Sequence, residues 1–335
     1  MSTQAFTRLD GFPRQRLGLL PTPLTPAPRL ARAIGLPDLW IKHDELIGFG
    51  FGGNKVRGLE FLLADAKAKK ATVLVTGAGA QSNHVRATAA TAAHGGLESI
   101  AVYWGDEPPV AQGNLLLTRM LGGQTRFTKN YDRMHVDLAI AEVAAELRTA
   151  GHHPYTIPRG GACALGVLGH VLAARELYLQ CESLGLRPSA IVLAVGSGTT
   201  FAGWLLGSAL LGAAWQVEGV TVSRPPSEVR VRVAALAAEA AQLLGMPALL
   251  SEAEVVVHEG FIGEGYGVPT ADGEAAIRSA ARLQGVFFDP TYTGKAFAGL
   301  TALAAAGRFA GRGPVIFLHT GGEPALFADP PHGRK

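Results

Sequence analysis

Cysteine is nearly absent from this chain, with only Cys163 and Cys181 among 335 residues. Two thiols without paired C-x-x-C spacing build neither a disulfide framework nor a zinc knuckle, so a reducing, cytoplasmic setting and no metal site are expected. Long apolar runs are missing too. Residues 1–30 interleave Arg8, Asp10, Arg14 and Arg16 with Pro21, Pro23, Pro26 and Pro28, which leaves no stretch of signal-peptide or membrane-spanning length. Nor is charge of one sign concentrated. Thirty basic residues face 27 acidic ones, and the arginines are scattered, which argues against a nucleic-acid partner and only weakly for small anionic ligands. Lysine itself is scarce, at eight residues.

What remains is the composition of a globular enzyme-like body: 48% hydrophobic and 17% charged residues, rich in Ala and Gly. The length exceeds a usual single core and predicts one long or two intimately joined domains. Short β-rich runs alternate with helical ones: Leu39–Lys42 then 55–70, Thr72–Thr76 then 82–95, Ser99–Trp104 then 113–121, Thr125–Phe127 then 135–150. The alternation resumes after Tyr155–Pro158, with a helix at 166–183, the strand Ala190–Val195, a helix at 201–211, Val217–Val222, a helix at 227–244 and finally Val315–His319. Parallel strands need helix-length crossovers, so the pattern predicts an α/β protein of two parallel-type units with a cleft between them. Ligands of such sheets sit beyond the carboxyl ends of strands, which directs attention to loops 48–55, 77–84, 196–200 and 319–322.

Residues 48–53, G-F-G-F-G-G, satisfy the spacing of a dinucleotide-binding turn. The acidic residue expected at the end of the next strand is missing, which disfavours an NAD oxidoreductase and leaves a structural turn. Behind the turn stands Lys55, either a surface lysine at a helix start or an amine kept free of bulk by glycines, as Schiff-base lysines require. Gln81, Ser82, Asn83 and His84 crowd another helix start, where capping accounts for one polar residue and an anion or ring hydroxyl for more. Gly196, Ser197, Gly198, Thr199 and Thr200 combine freed backbone N–H groups, hydroxyls and a helix N-terminus without the lysine of a nucleotide P-loop, which reads as a cradle for a monophosphate, the alternative being a tight turn with no ligand. Tyr266 and Tyr292 lie in glycine-bordered loops, where a phenol can serve as acid or base or simply pack.

Taken together, G-G-N-K-V-R-G-L-E-F (52–61), Q-S-N-H-V-R (81–86), P-R-G-G-A-C-A-L-G-V-L-G-H-V (158–171), G-S-G-T-T (196–200), E-G-Y-G-V-P (264–269), D-P-T-Y-T-G-K-A-F-A-G-L (289–300) and F-L-H-T-G-G (317–322) resemble one family over nearly the whole chain. It is the D-cysteine desulfhydrase and 1-aminocyclopropane-1-carboxylate (ACC) deaminase family of pyridoxal-phosphate enzymes. The resemblance implies a tryptophan-synthase-β-like, fold type II protein. Residues 1–57 and 165–335 would form a large cofactor domain and 58–164 a small inserted one. It further implies pyridoxal 5'-phosphate as cofactor, a small amino-acid substrate and a homodimer.

By the same resemblance Lys55, beside Asn54, carries the imine to the cofactor aldehyde, and Asn83 bonds the ring hydroxyl. Gln81, Ser82, Asn83 and His84 line the substrate-carboxylate site, Gly196 to Thr200 hold the phosphate, and Tyr266 and Tyr292 face the substrate. Thr293 lies near the pyridine nitrogen. ACC deaminases of this type carry a glutamate directly after the second tyrosine and a leucine in the C-terminal loop; Thr293 and Thr320 stand there instead, as in desulfhydrases. A neutral hydroxyl leaves the ring a weaker electron sink, suited to a good leaving group such as thiolate. The expectation is α,β-elimination of D-cysteine to hydrogen sulfide, ammonia and pyruvate, with ACC, cysteate or another β-substituted alanine as competing substrates. The two tyrosines argue against a cofactor-binding protein without turnover. Relatives usually read G-N-K-x-R-K, whereas Gly58 replaces the second lysine here, which implies a lost phosphate contact and weaker cofactor retention unless an arginine substitutes. Phe49, Phe51 and the A-C-A run at 162–164 also differ in detail.

Overall fold

Strands that read as unbroken apolar runs prove to be covered on both faces, as parallel strands between helices must be. The computed structural model describes residues 3–329; positions 1–2 and 330–335, the ends of the expected large domain, lie outside the described residues. The chain opens with α1 (Thr3–Gly11), β1 (Leu24–Pro26), α2 (Pro28–Ala33) and β2 (Leu39–His43). A second stretch runs through α3 (Lys55–Ala68), β3 (Val73–Ala78), α4 (Asn83–Gly95), β4 (Glu98–Tyr103), α5 (Gly113–Met120), β5 (Gln124–Phe127), α6 (His135–Thr149) and β6 (Pro154–Thr156). The third comprises α7 (Ala164–Leu184), β7 (Ala190–Val195), α8 (Thr199–Leu211), β8 (Gln216–Thr221), α9 (Pro226–Leu243), β9 (Val256–His258), α10 (Ala271–Gln284), α11 (Thr293–Ala305) and β10 (Val315–His319).

Two sheets result. One has the order β1-β2-β10-β7-β8-β9 and the other β5-β4-β3-β6. Every pairing is parallel except β1 with β2, where Leu24 faces Lys42. The last strand, β10, is central: it sets Val315 against Leu39 on one side and Ala190 on the other. Within β3, β7 and β10 every residue is buried.

On one face of the larger sheet, Val167, Val171, Phe201, Trp204 and Val233 from α7, α8 and α9 pack with Ile191 and Leu193. On the other, Phe288, Phe297 and Phe317 cluster in tilted and edge-to-face contacts with centroids 5.1 Å apart. Each such side chain contributes about 1.5–3 kcal/mol by leaving water. Helices cross closely where glycine removes a side chain. A Cβ at Gly203 would fall 2.3 Å from that of His170, and one at Gly169 would fall 2.1 Å from the carbonyl oxygen of Arg57. These contacts press α7 against both α8 and α3, and α3 starts with Lys55.

Parallel strands send their carboxyl ends the same way, and the consequence is one crowded rim. The loops after β2 to β8 and after β10 all contribute to a single cavity, through Lys55, Ser82, Trp104, Arg133, Gly160, Gly196, Arg224 and Thr320 respectively. Loop 259–270, which follows β9, adds Tyr266. Residues 48–53 form a turn at the entrance to α3. There Gly48, Gly50, Phe51, Gly52 and Gly53 all have positive φ, and a Cβ at Gly52 would lie 1.9 Å from the carbonyl oxygen of Glu45. Only glycine fits there, so the dinucleotide-like spacing reflects a turn.

Candidate active site

Lys55 is the first residue of α3, and its amine faces the cavity with no hydrogen-bond or ion-pair partner among the described residues. Burial removes water from the ammonium and lowers its pKa from 10.5 to about 8. The preceding residue fixes this amine to two distant segments. Asn54 donates its backbone N–H to the Thr320 carbonyl at 3.0 Å and its side-chain amide to the Thr200 hydroxyl at 2.8 Å.

Two residues further on, a buried charge network holds the same helix start. Arg57 grips Asp44 through Nε at 2.9 Å and Nη2 at 2.6 Å, and reaches Glu176 at 3.0 and 3.1 Å. Lys42 completes it, donating to Glu176 at 2.5 Å, to Gln180 at 2.8 Å and to the Thr22 carbonyl at 2.7 Å. Burial works against the Arg57 charge, yet Asp44 and Glu176 raise its pKa above the ordinary value. Lys42 and Arg57 are thus committed to structure, and among the described residues Lys55 is the one lysine that lines the cavity. Arg86 secures the other side, donating to the Gly52 carbonyl at 3.0 Å, to that of Gly50, and to Asn114 at 3.0 Å.

Ser82 caps α4 by accepting from the Val85 N–H at 3.3 Å, and it lines the cavity with Asn83 and His84. Asn114 donates to the Asn83 side-chain oxygen at 2.9 Å, which turns the Asn83 NH₂ group free for another acceptor. His84 is buried, bonded through Nε2 to Thr76 at 3.1 Å, with Nδ1 left without a partner. Burial, with the nearby Lys55 charge second, depresses its pKa to about 3, so the ring is neutral. Gln81 stays outside the cavity lining: its amide binds the Gln112 carbonyl and the Asn114 N–H and fixes the start of α5.

Gly196, Ser197, Gly198 and Thr200 line the opposite wall, and Gly198 holds φ +92° as the cap of α8. Thr199 lies just beneath, its hydroxyl 3.1 Å from that of Ser197, in a small neighbouring cavity shared with Lys55, Gly58 and His170. Tyr292 abuts this wall; a Cβ at Gly196 would approach its ring to 3.0 Å. The hydroxyls of Tyr266 and Tyr292 hydrogen-bond to each other, and burial raises the pKa of both. Lys295, wholly buried, pins the Tyr266 loop by donating to the carbonyls of Ile262 at 2.6 Å and Gly265 at 3.2 Å.

Thr293 does not line the cavity. Its hydroxyl donates to Asp289 at 2.8 Å and accepts the Asp289 N–H at 2.7 Å, which knits the turn carrying Tyr292. Gly58 has a packing reason. A Cβ there would sit 2.7 Å from the Gly166 carbonyl oxygen, so the α3–α7 contact excludes a lysine unless the helices part. Sequence reasoning missed four cavity arginines, Arg133, Arg159, Arg224 and Arg232, because isolated arginines read as solvated surface. Arg232 is notable, since its Nε donates to the Ser197 carbonyl at 2.7 Å beside the glycine-rich loop.

Known proteins match this geometry. The sequence model of the family described as "Pyridoxal-phosphate dependent enzyme" covers residues 16–321. A protein of Klebsiella pneumoniae named D-cysteine desulfhydrase is 41% identical over 99% of this chain and 100% of its own length. One of Pyrococcus abyssi, provisionally named 1-aminocyclopropane-1-carboxylate deaminase, is 40% identical over 95% of this chain and 94% of its own. The crystal structure of an ACC deaminase homologue superposes with a TM-score of 0.90 at 37% identity, covering 98% of this chain and 97% of that one. A lone amine at a helix start, a glycine- and hydroxyl-rich loop lining the same cavity and full-length likeness to such proteins lead to one assignment: the chain belongs to the pyridoxal-phosphate-dependent enzyme family and has its fold type II architecture.

Proposed function

We propose that this protein is a lyase that eliminates thiolate from D-cysteine, yielding hydrogen sulfide, ammonia and pyruvate. The observation that carries the reading is Lys55, an unpartnered amine of depressed pKa enclosed between a phosphate cradle and a hydrogen-bonded pair of phenols. The residues present suit pyridoxal 5'-phosphate. Gly198 leaves the loop free of bulk, Asn83 has an undirected NH₂, and His84 Nδ1 is an orphaned polar atom on the cavity wall. When bound, the cofactor supplies an electron sink for negative charge at the substrate Cα.

Lys55 would hold the cofactor, and Gly196 to Thr200 its phosphate, with Arg232 supplying the cation that Gly58 does not. Asn83 would orient the ring hydroxyl. Ser82, Asn83 and His84 would receive the substrate carboxylate, with Gln81 steadying the loop that presents them. Freed Lys55 or a phenol of the Tyr266–Tyr292 pair would take the Cα proton, and a neutral His84 leaves the carboxylate the net negative partner. Thr293, its hydroxyl committed to Asp289, would hold the Tyr292 turn near the pyridine nitrogen and bring no carboxylate to it, and Thr320 would close the C-terminal side. Residues 1–57 with 165–335 form the cofactor domain on this reading, residues 58–164 the smaller one. The working form is a cytoplasmic homodimer.

ACC deamination is the second reading, favoured by the names of two relatives and disfavoured by Thr293 and Thr320. The two separate when purified protein is given D-cysteine, L-cysteine, ACC and cysteate, with sulfide, sulfite, pyruvate and 2-oxobutyrate assayed. Sulfide and pyruvate from D-cysteine are expected; turnover of ACC alone would refute the proposal. Lys55→Ala should abolish both product formation and the yellow colour of bound cofactor.

A further inference from the structure

The cavity has a charge inventory that cofactor and amino-acid carboxylate do not exhaust. Among the described residues no aspartate or glutamate lines it, whereas four arginines do. Two of these have carboxylate partners: Arg159 holds Asp137 at 2.7 to 3.1 Å and Arg224 meets Glu228 at 3.2 Å. Arg232 is bonded to the glycine-rich loop. Arg133 is different. Its guanidinium has neither a carboxylate nor a hydrogen-bond acceptor among the described residues, and it rests over the ring of Tyr266 at 4.6 Å and that of Trp104 at 5.6 Å.

Aromatic faces attract the cation but leave five N–H donors unfilled. The position is also built. Trp104 is fixed against backbone, since a Cβ at Gly79 would stand 2.5 Å from its ring, and the Arg133 carbonyl accepts from Arg159 at 2.8 Å. A guanidinium so placed beside the phenol pair, and not on either loop that would take phosphate or carboxylate, is set for a third anion.

We propose that Arg133 is the countercharge for the β-substituent of the substrate. It would favour β-substituted alanines whose substituent departs as a sulfur anion, a good leaving group beside carbon but one that gains more from a countercharge than chloride does. The inference rests on the lyase reading above. In the step concerned, the Cα–H pair becomes the Cα=Cβ bond, the proton passes to the base, and the Cβ–S pair stays on sulfur as thiolate. Water later releases ammonia and pyruvate, so no oxidant or reductant is needed. Arg133 lines the cavity beside the phenol pair taken to face the substrate, and fixed cations act most on charge that appears in the transition state.

The test compares D-cysteine with β-chloro-D-alanine, whose chloride leaves readily without help, in wild type, Arg133→Gln and Arg133→Lys. Arg133→Gln should lower kcat/KM for D-cysteine on the order of 10²-fold, as loss of a transition-state charge partner does. The chloro compound should lose about 10-fold or less, mostly in kcat. Arg133→Lys should recover part of the cysteine activity, and cofactor retention on dialysis should match wild type. Equal losses on both substrates, an unaltered rate with D-cysteine, or weakened cofactor retention in Arg133→Gln would each overturn the inference while leaving the lyase reading intact. Wild-type protein that turned over neither compound would remove the lyase reading and this inference with it.

Discussion

Lys55 draws its chemistry from where its amine ends rather than from any charged neighbour. Burial lowers its pKa to about 8, whereas the unfolded chain would titrate at 10.5. The sign follows from linkage: between these values the unfolded state binds more protons, so stability rises with pH through that window and the cost of enclosing an ammonium is full below it. Reactivity tracks the same group. Apoprotein should combine with pyridoxal phosphate at a rate that climbs through about pH 8 and levels above it, measured by stopped-flow absorbance. A rate that kept rising to the ordinary lysine range would mean that the amine is hydrated. His84 should add no step between pH 5 and 8, because its proton is lost near pH 3.

At the scale of elements, α3 is held from both ends of its first turn. Arg57 and Asp44 are 2% and 0% exposed, and removing one partner of such a pair strands the other's charge in a dry setting. Arg57→Met should therefore destabilise the protein by about 3–5 kcal/mol in urea unfolding, and activity in the folded fraction should fall as the Lys55 helix start loosens. A change under ~1 kcal/mol would show the network to be hydrated. This network was invisible in the sequence because its members, Lys42, Asp44, Arg57 and Glu176, come from separate elements. The strands β7 and β10 were legible to the residue, since burial on both faces makes them continuous apolar runs. β1 and β9 were not, being three-residue edge strands too short to show a period. Helix α11 hid for another reason: its first eight residues, Thr293–Leu300, are all buried, so no polar stripe alternates with the apolar one.

For the whole molecule, the site belongs to both sheets at once, so a bound cofactor should tie them together. Saturation at 100 times the dissociation constant is worth about 2.7 kcal/mol. The loaded protein should melt above the apoprotein, by differential scanning calorimetry, and Lys55→Ala should lose most of that gain while its apo form melts near wild type. The glycine-rich and polar loops were readable because backbone chemistry at strand ends has few uses. The arginine lining was not, because Arg133, Arg159, Arg224 and Arg232 acquire meaning only when segments that follow strands of both sheets meet.

Asn54 ties the Lys55 turn to Thr200 and Thr320, and β10 leads directly into Thr320 from the centre of its sheet. During synthesis the lysine emerges early and the strand that completes its surroundings emerges last. Until then it is a hydrated lysine with the ordinary pKa, protonated for the most part at neutral pH. The depressed pKa of the amine is therefore a property of the completed cavity and not of the local Lys55 turn, because the burial that produces it needs segments from both ends of the sequence.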